Sequence, residues 1–410
     1  MSQINTKNPL NIIVIVAALG YFVDIYDLIL FGIVMKPSLS SLGIPPEMMF
    51  DTGTRLLGIQ MIGMLVGGII WGVLGDKKGR LSTLFLTILL YSLANIANGF
   101  VQSIEQYQLM RFIAGLGLAG ELGVGITLVS EVMTKESRGM GTSFVSGIGI
   151  AGAVLGFLVA DMFDWRVAYF VGGGLGLVLL ILRISVYESG MFHKTKSEKV
   201  SRGDFLSLFT SPEKFKKYIL CILVGIPVWF VISQLAVQSE KYAHDALKIQ
   251  GEIIGGKAVM FHYIGASFGS LIFGYISERL KSRKKSLLIC VSTLSLLLAG
   301  YFLSVGASSL VYYCMITALG VTMGGLWAVF MSNSSEQFGT NLRATVTTTA
   351  PNFVRGTTEL VRLSVNSLKG TYNLWIAGVV VAVAALILSF VGIFFSEETY
   401  GKDLDFNEES

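Results

Sequence analysis

Twelve apolar runs, most of about 20 residues or more, divide the chain of 410 residues. A helix of about 20 residues crosses the hydrocarbon of a bilayer. Lipid offers backbone groups no water, so spanning segments must be helices or a closed barrel. Unbroken apolar runs exclude the alternating pattern of a barrel. The expected fold is therefore all-α and polytopic, with 12 transmembrane helices. Segments 1 to 6 lie near residues 9–35, 54–75, 81–101, 106–132, 139–163 and 166–187. Segments 7 to 12 lie near 215–238, 252–277, 286–305, 308–333, 343–368 and 371–396. Only 14% of residues are charged against 53% hydrophobic, which excludes a disordered chain, a nucleic-acid binder and an ordinary cytosolic enzyme. The run after Met1–Asn8 is too long for a signal h-region and reads as an uncleaved first span.

Lys and Arg concentrate in the even-numbered connections, at Lys77, Lys78 and Arg80, from Lys194 to Lys217, and from Arg279 to Lys285. Basic loops stay on the cytoplasmic side, so both termini are expected there, in a bacterial inner membrane. Cys221, Cys290 and Cys314 lie in apolar runs without pairing or metal spacing.

The halves repeat each other. Segment 2 ends Gly72-Val-Leu-Gly-Asp76-Lys-Lys-Gly79-Arg80, and segment 8 ends Gly274-Tyr-Ile-Ser-Glu278-Arg-Leu-Lys-Ser-Arg283. Segment 4 ends in Glu131 with Arg138 after it; segment 10 ends in Glu336 with Arg343 at the same spacing. Gly115 and Gly320 precede these at matching distances. Two pseudo-symmetric six-helix bundles follow, at 1–187 and 215–396, with a cytoplasmic linker 188–214 and a tail 397–410. Such bundles can rock about a site at their interface.

These features resemble the major facilitator superfamily. Gly75-Asp76-Lys77-Lys78-Gly79-Arg80 resembles its motif between segments 2 and 3. Arg111-Phe-Ile-Ala-Gly-Leu-Gly-Leu-Ala-Gly-Glu121 is similar to segment 4 of the sugar-porter, metabolite–proton symporter and organic-ion branches. Glu188-Ser-Gly and Glu398-Thr-Tyr-Gly-Lys402 resemble signatures after segments 6 and 12 of those branches, although the Pro usual after the first Glu-Ser is missing and the second-half loop lacks its Gly. Gly20-Tyr-Phe-Val-Asp24-Ile-Tyr-Asp27 is similar to bacterial transporters related to the intraphagosomal amino-acid family.

Charges inside spans are costly and persist where they line a cavity or pair. Asp24 and Asp27 on segment 1 face the same side, and Arg111 on segment 4 lies at similar depth. An Asp–Arg pair would neutralise both, and protonation of the Asp would release the Arg; a permanent packing pair is the alternative. The resemblance to sugar–proton symporters implies the coupling role for Asp27 and Arg111. Glu121, behind Gly115, Gly117 and Gly120, reads as a second proton site, a ligand for a cation, or a carboxyl held by hydroxyls.

Segment 11 places Arg355, Glu359 and Arg362 on one face, one turn beyond Pro351. Arg355 near the midplane suits a carboxylate, with Asn352 beside it; Arg355 and Glu359 pairing with each other is the alternative. Lys257 reads as snorkelling to the headgroups, and His262 as a hydrogen-bonded packing histidine, with a group titrating near neutral pH as the alternative. Gln60, Trp229, Gln234, Tyr263 and Trp327 are candidate cavity residues, with packing as the alternative for each.

Asp76, with Arg80, is expected to gate by pairing with basic residues and helix N-termini. Glu131–Arg138, Glu278–Arg283 and Glu336–Arg343 are expected to act as charge latches on the same face.

Gly115-Leu-Gly117-Leu-Ala-Gly120 spells a dinucleotide fingerprint but lacks the preceding strand. No P-loop or metal cluster is visible, and no cofactor or catalytic residue is expected. Segment 5 also lacks the Pro of the exporters' antiporter motif. The expected activity is proton-coupled import of a small polar metabolite by alternating access, an amino acid ahead of an organic acid. An efflux antiporter is the alternative and a membrane enzyme a remote one. The expected partners are substrate, protons and the lipid bilayer, with no nucleic acid, in a monomer.

Overall fold

The computed structural model describes residues 11–134, 137–188, 203–404, 406 and 408; the side chains of residues 50, 80, 81 and 185–188 lie outside that description. Among the described residues there are no strands longer than an isolated bridge. Six helices form the first half: α1 (Ile12–Ser41), α2 (Pro46–Lys78), α3 (Arg80–Asn98), α4 (Ile104–Val132), α5 (Arg138–Met162) and α6 (Trp165–Glu188). Six form the second: α7 (Pro212–Ala236), α8 (Gly255–Leu280), α9 (Arg283–Leu303), α10 (Ser309–Gln337), α11 (Arg343–Thr371) and α12 (Leu374–Phe395).

Ten of these are long and apolar enough to span a membrane. The others are α3, with its shorter apolar stretch Ser82–Asn98, and α11, which is rich in threonine. The polar helix α11 survives burial because its hydroxyls bond back along the helix: Thr347 donates to the Arg343 carbonyl at 2.8 Å and Thr349 to that of Thr345 at 2.7 Å. Several helices start on caps. The Ser211 hydroxyl accepts from Lys214 N–H ahead of Pro212, and Asn373 accepts from Ile376 N–H at 2.8 Å. α1 runs past the end of its apolar stretch, through Pro37 to Ser41.

The repeat in sequence is a repeat in packing. A Cβ on Gly115 of α4 would run into the Gln60 carbonyl of α2, and one on Gly67 into that of Leu116. In the second half a Cβ on Gly320 of α10 would run into the His262 carbonyl of α8, and one on Gly269 into that of Val321. Both helix pairs therefore touch backbone to backbone, and only glycine permits it. The register makes Gln60 and His262 equivalent positions. It likewise pairs Arg111 with Ile316.

The halves are tied together unevenly. On the face that carries the connections α2–α3, α4–α5, α8–α9 and α10–α11 and the C-terminal segment (the tail face), polar contacts between halves are buried. On the other face a cavity of about 550 Å³ lies between the ends of α1, α2, α5, α7 and α8. There Lys36 of α1 pairs with Glu240 beyond α7, but those side chains are 65% and 38% exposed. An exposed pair contributes about 1 kcal/mol or less.

Candidate functional site

The centre of the molecule holds a small cavity of about 30 Å³ between the halves, lined by Tyr21 and Ile25 of α1, Ile150 of α5, Trp229 of α7, His262 and Tyr263 of α8, Trp327 of α10 and Arg355 of α11, among others. Arg355 is buried, one turn after Pro351. Its Nη1 donates to Asn352 Oδ1 at 2.9 Å, while Nε and Nη2 meet no acceptor. Its Cζ lies 5.8 Å from the Trp229 ring centroid and 5.6 Å from that of Trp327, so two indoles flank the charge. Trp327 Nε1 donates across the halves to the Tyr21 hydroxyl at 3.0 Å. Unmatched guanidinium donors between flat apolar walls make a pocket shaped for a carboxylate.

Four of the eight candidate binding residues thus meet at one cavity: Trp229, Tyr263, Trp327 and Arg355. Asn352 stands behind Arg355 and crosses to the first half, donating to the Ala119 carbonyl at 2.9 Å where α4 is interrupted. The other three sit elsewhere. Gln60 is taken up by Arg111, Gln234 accepts from Gln238 at 3.3 Å, and Glu359 pairs with Arg362, half exposed. The expected Arg355–Glu359 alternative is not formed. The i,i+3 spacing brings Arg362 to Glu359 while Arg355 turns inward to the indoles. Tyr21 was missed: it precedes Asp24 by one turn on α1, which was the available signal.

Asp24 and Asp27 are fully buried, and none of their four carboxylate oxygens accepts a hydrogen bond from the described residues. The expected Asp27–Arg111 pair is not made. Arg111 donates to Gln60 Oε1 and to the Tyr169 hydroxyl at 3.3 Å, and it lies over the Phe31 and Tyr169 rings. Asp27 instead packs against Gly172 of α6, where any side chain would strike its Oδ1. Arg111 still bears on Asp27 electrostatically, and Arg355 on Asp24. Glu121 is not a lone carboxyl. It is held by both terminal nitrogens of Arg183 on α6, one at 3.0 Å. Arg183 was missed, and the available signal was a lone basic residue inside the apolar run of segment 6.

On the tail face Asp76 caps the start of α11. It accepts from Ala344 N–H at 3.2 Å, Thr345 N–H at 2.8 Å and the Thr345 hydroxyl at 2.6 Å. This is a carboxylate at a helix N-terminus, reaching from one half to the other. The Arg80 side chain lies outside the described residues. The charge latches differ from expectation. Arg138 pairs with Glu336 at 2.8 Å and Arg343 with Glu131 at 3.5 Å, so both pairs cross between halves. Each Arg thus meets the Glu of the other half. Glu278–Arg283 forms within the second half at 2.7 Å, and Arg283 also binds Glu336 at 3.1 Å.

The C-terminal segment closes this cluster. Arg138 donates to the Lys402 carbonyl and Arg343 to the Leu404 carbonyl, each at 2.6 Å. Glu398 caps α9, accepting from Ser282 Oγ and from Arg283 N–H at 2.8 Å. Partial burial pushes the Glu398 carboxyl up, but the hydrogen bonds from Ser282 and from the backbone of Tyr400, Arg283 and Lys284 outweigh that. They hold it below the usual carboxylate range. The signature around Glu188 lies outside the described residues.

The arrangement of twelve helices is shared with known proteins. Residues 17–355 match the Major Facilitator Superfamily. The chain belongs to that superfamily. A Haemophilus influenzae protein named for metabolite transport is 26% identical to this facilitator, over 95% of this chain and 96% of its own. The sialic acid transporter NanX of Escherichia coli is 25% identical, over 94% of each chain. The solved structure of the proton:xylose symporter XylE superposes with a TM-score of 0.75 over 96% of this chain and 97% of its own, at 15% identity, which speaks for the fold. The protein is thus a multi-pass membrane transporter and not an enzyme.

Proposed function

We propose that this facilitator imports a small organic acid, amino acids included, together with protons. The observation that carries this reading is Arg355, a buried cation with two nitrogens lacking acceptors in the cavity between the halves. The name of the sialic acid relative is in keeping with an acidic substrate. The protons would be carried by Asp24 and Asp27, whose buried carboxylates without protein donors are costly when charged. With Asp24 protonated the site favours a plain carboxylate. With it ionised, the pair Asp24–Arg355 suits a zwitterion.

On this reading the basic loops and the tail face lie on the cytoplasmic side of a bacterial inner membrane, and the monomer stands open to the outside. Alternating access would break the contacts at Asp76, Arg138 and Arg343 and close the cavity at Lys36 and Glu240. The test is tracer uptake into proteoliposomes under an imposed pH gradient. Uphill uptake of an acid, lost in Arg355→Gln, is expected. Asp27→Asn should retain exchange but lose accumulation. Uptake indifferent to the gradient refutes proton coupling; uptake unchanged in Arg355→Gln refutes the carboxylate site.

A further inference from the structure

His262 occupies in the second half the position that Gln60 occupies in the first. Gly320 lies against its carbonyl as Gly115 lies against that of Gln60. The partners differ. Gln60 is engaged by Arg111, whereas the position equivalent to Arg111 is Ile316, which offers no side-chain hydrogen bond. The imidazole lies beside the Ile316 backbone instead. Its Nδ1 is buried and meets no hydrogen-bond partner among the described residues. In a neutral imidazole one ring nitrogen donates and the other accepts, so an unpartnered Nδ1 is open to a hydrogen bond with a ligand's polar group. His262 lines the same cavity as Arg355 and the two indoles.

We infer that His262 determines specificity through a hydrogen bond between Nδ1 and a hydroxyl or amino group on the acid that Arg355 holds. This rests on the carboxylate reading of Arg355. A buried polar atom without a partner is costly, and a ligand group that pairs with it recovers the loss. A site built to bond a polar group rejects the analogue lacking it far more strongly than an apolar pocket rejects an extra one. The substrate class is therefore a hydroxy- or amino-substituted carboxylate rather than an unsubstituted one. Tyr21 and Tyr263 share the cavity, but the Tyr21 hydroxyl is already an acceptor for Trp327.

The test is binding of matched probes to the purified full-length protein by calorimetry. The pairs are lactate and alanine against propionate, and 3- and 4-hydroxybenzoate against benzoate. At least one substituted acid should bind about tenfold or more tighter than its parent. His262→Phe should abolish that preference, so that each substituted acid binds no tighter than its parent. His262→Gln, which restores a hydrogen-bonding group and the residue type of the equivalent position, should recover part of it. Arg355→Gln should weaken every probe alike. A preference unchanged in His262→Phe, or a wild type favouring the parent acids, overturns the role of His262. Retained binding of all probes in Arg355→Gln overturns the carboxylate site without touching the His262 preference. Failure of every probe to bind the wild type overturns both.

Discussion

Arg138→Met tests whether the tail-face contacts set the conformation. In the sealed state Arg138 makes two bonds, to Glu336 at 2.8 Å and to the Lys402 carbonyl at 2.6 Å, with both charged side chains at most 3% exposed. Hydrogen bonds to charged groups are worth about 1.5–3 kcal/mol each, so the pair contributes about 3 kcal/mol at the low end. Glu336 keeps Arg283 at 3.1 Å, so the substitution strands no buried carboxylate. Once the halves part at this face, Arg138 meets water and the substitution costs nothing. The whole loss therefore falls on the sealed state, and the ratio of open to sealed molecules rises roughly a hundredfold. Spin labels at Lys77 and Lys281, both exposed on this face in opposite halves, report the opening in a Cys314→Ser background. A new long-distance population is expected in the variant. Unchanged distances together with a lowered Tm would refute the reasoning, because Arg138 would then support folding and not the gate.

Other substitutions probe the remaining contacts. Asp76→Asn keeps the shape but removes the charge facing Ala344 and Thr345 N–H, so it should shift the same distances by about a tenfold population change. Gly320→Ala forces a methyl into the His262 carbonyl and should destabilise the protein by about 1–3 kcal/mol, read as a lower Tm in detergent. Glu398, held below its ordinary range, favours the folded state at pH values above the unfolded carboxyl range. That contribution is lost as pH falls through its lower folded-state value. A Tm profile from about pH 6 to pH 3 should therefore lose part of its acid-side slope in Glu398→Gln. An identical slope would mean that the cap is broken in solution.

The fold was legible because apolar length and basic loops are carried by the sequence alone, and so was the repeat, which correctly aligned Gly115 with Gly320. Asp76 was legible too, since a carboxylate at a helix end leaves few choices of partner. Partnerships across the halves were not. Nothing local distinguishes Arg138 meeting Glu131 from Arg138 meeting Glu336; only the stacking of the bundles decides it. Arg183 gave no signal beyond being a lone charge inside segment 6, and nothing local decides that Arg111 turns to Gln60 and not to Asp27. His262 gave no periodic signal, and its significance emerges only when the two halves are laid over each other.

The carbonyls of Lys402 and Leu404 have a practical consequence for anyone handling this protein. A purification handle or fluorescent fusion attached close behind Glu408 pulls on a segment whose backbone holds an arginine from each half. Such a preparation would report the mechanics of its own label. A handle at the amino end, or one behind a long Gly/Ser spacer, leaves those carbonyls at rest.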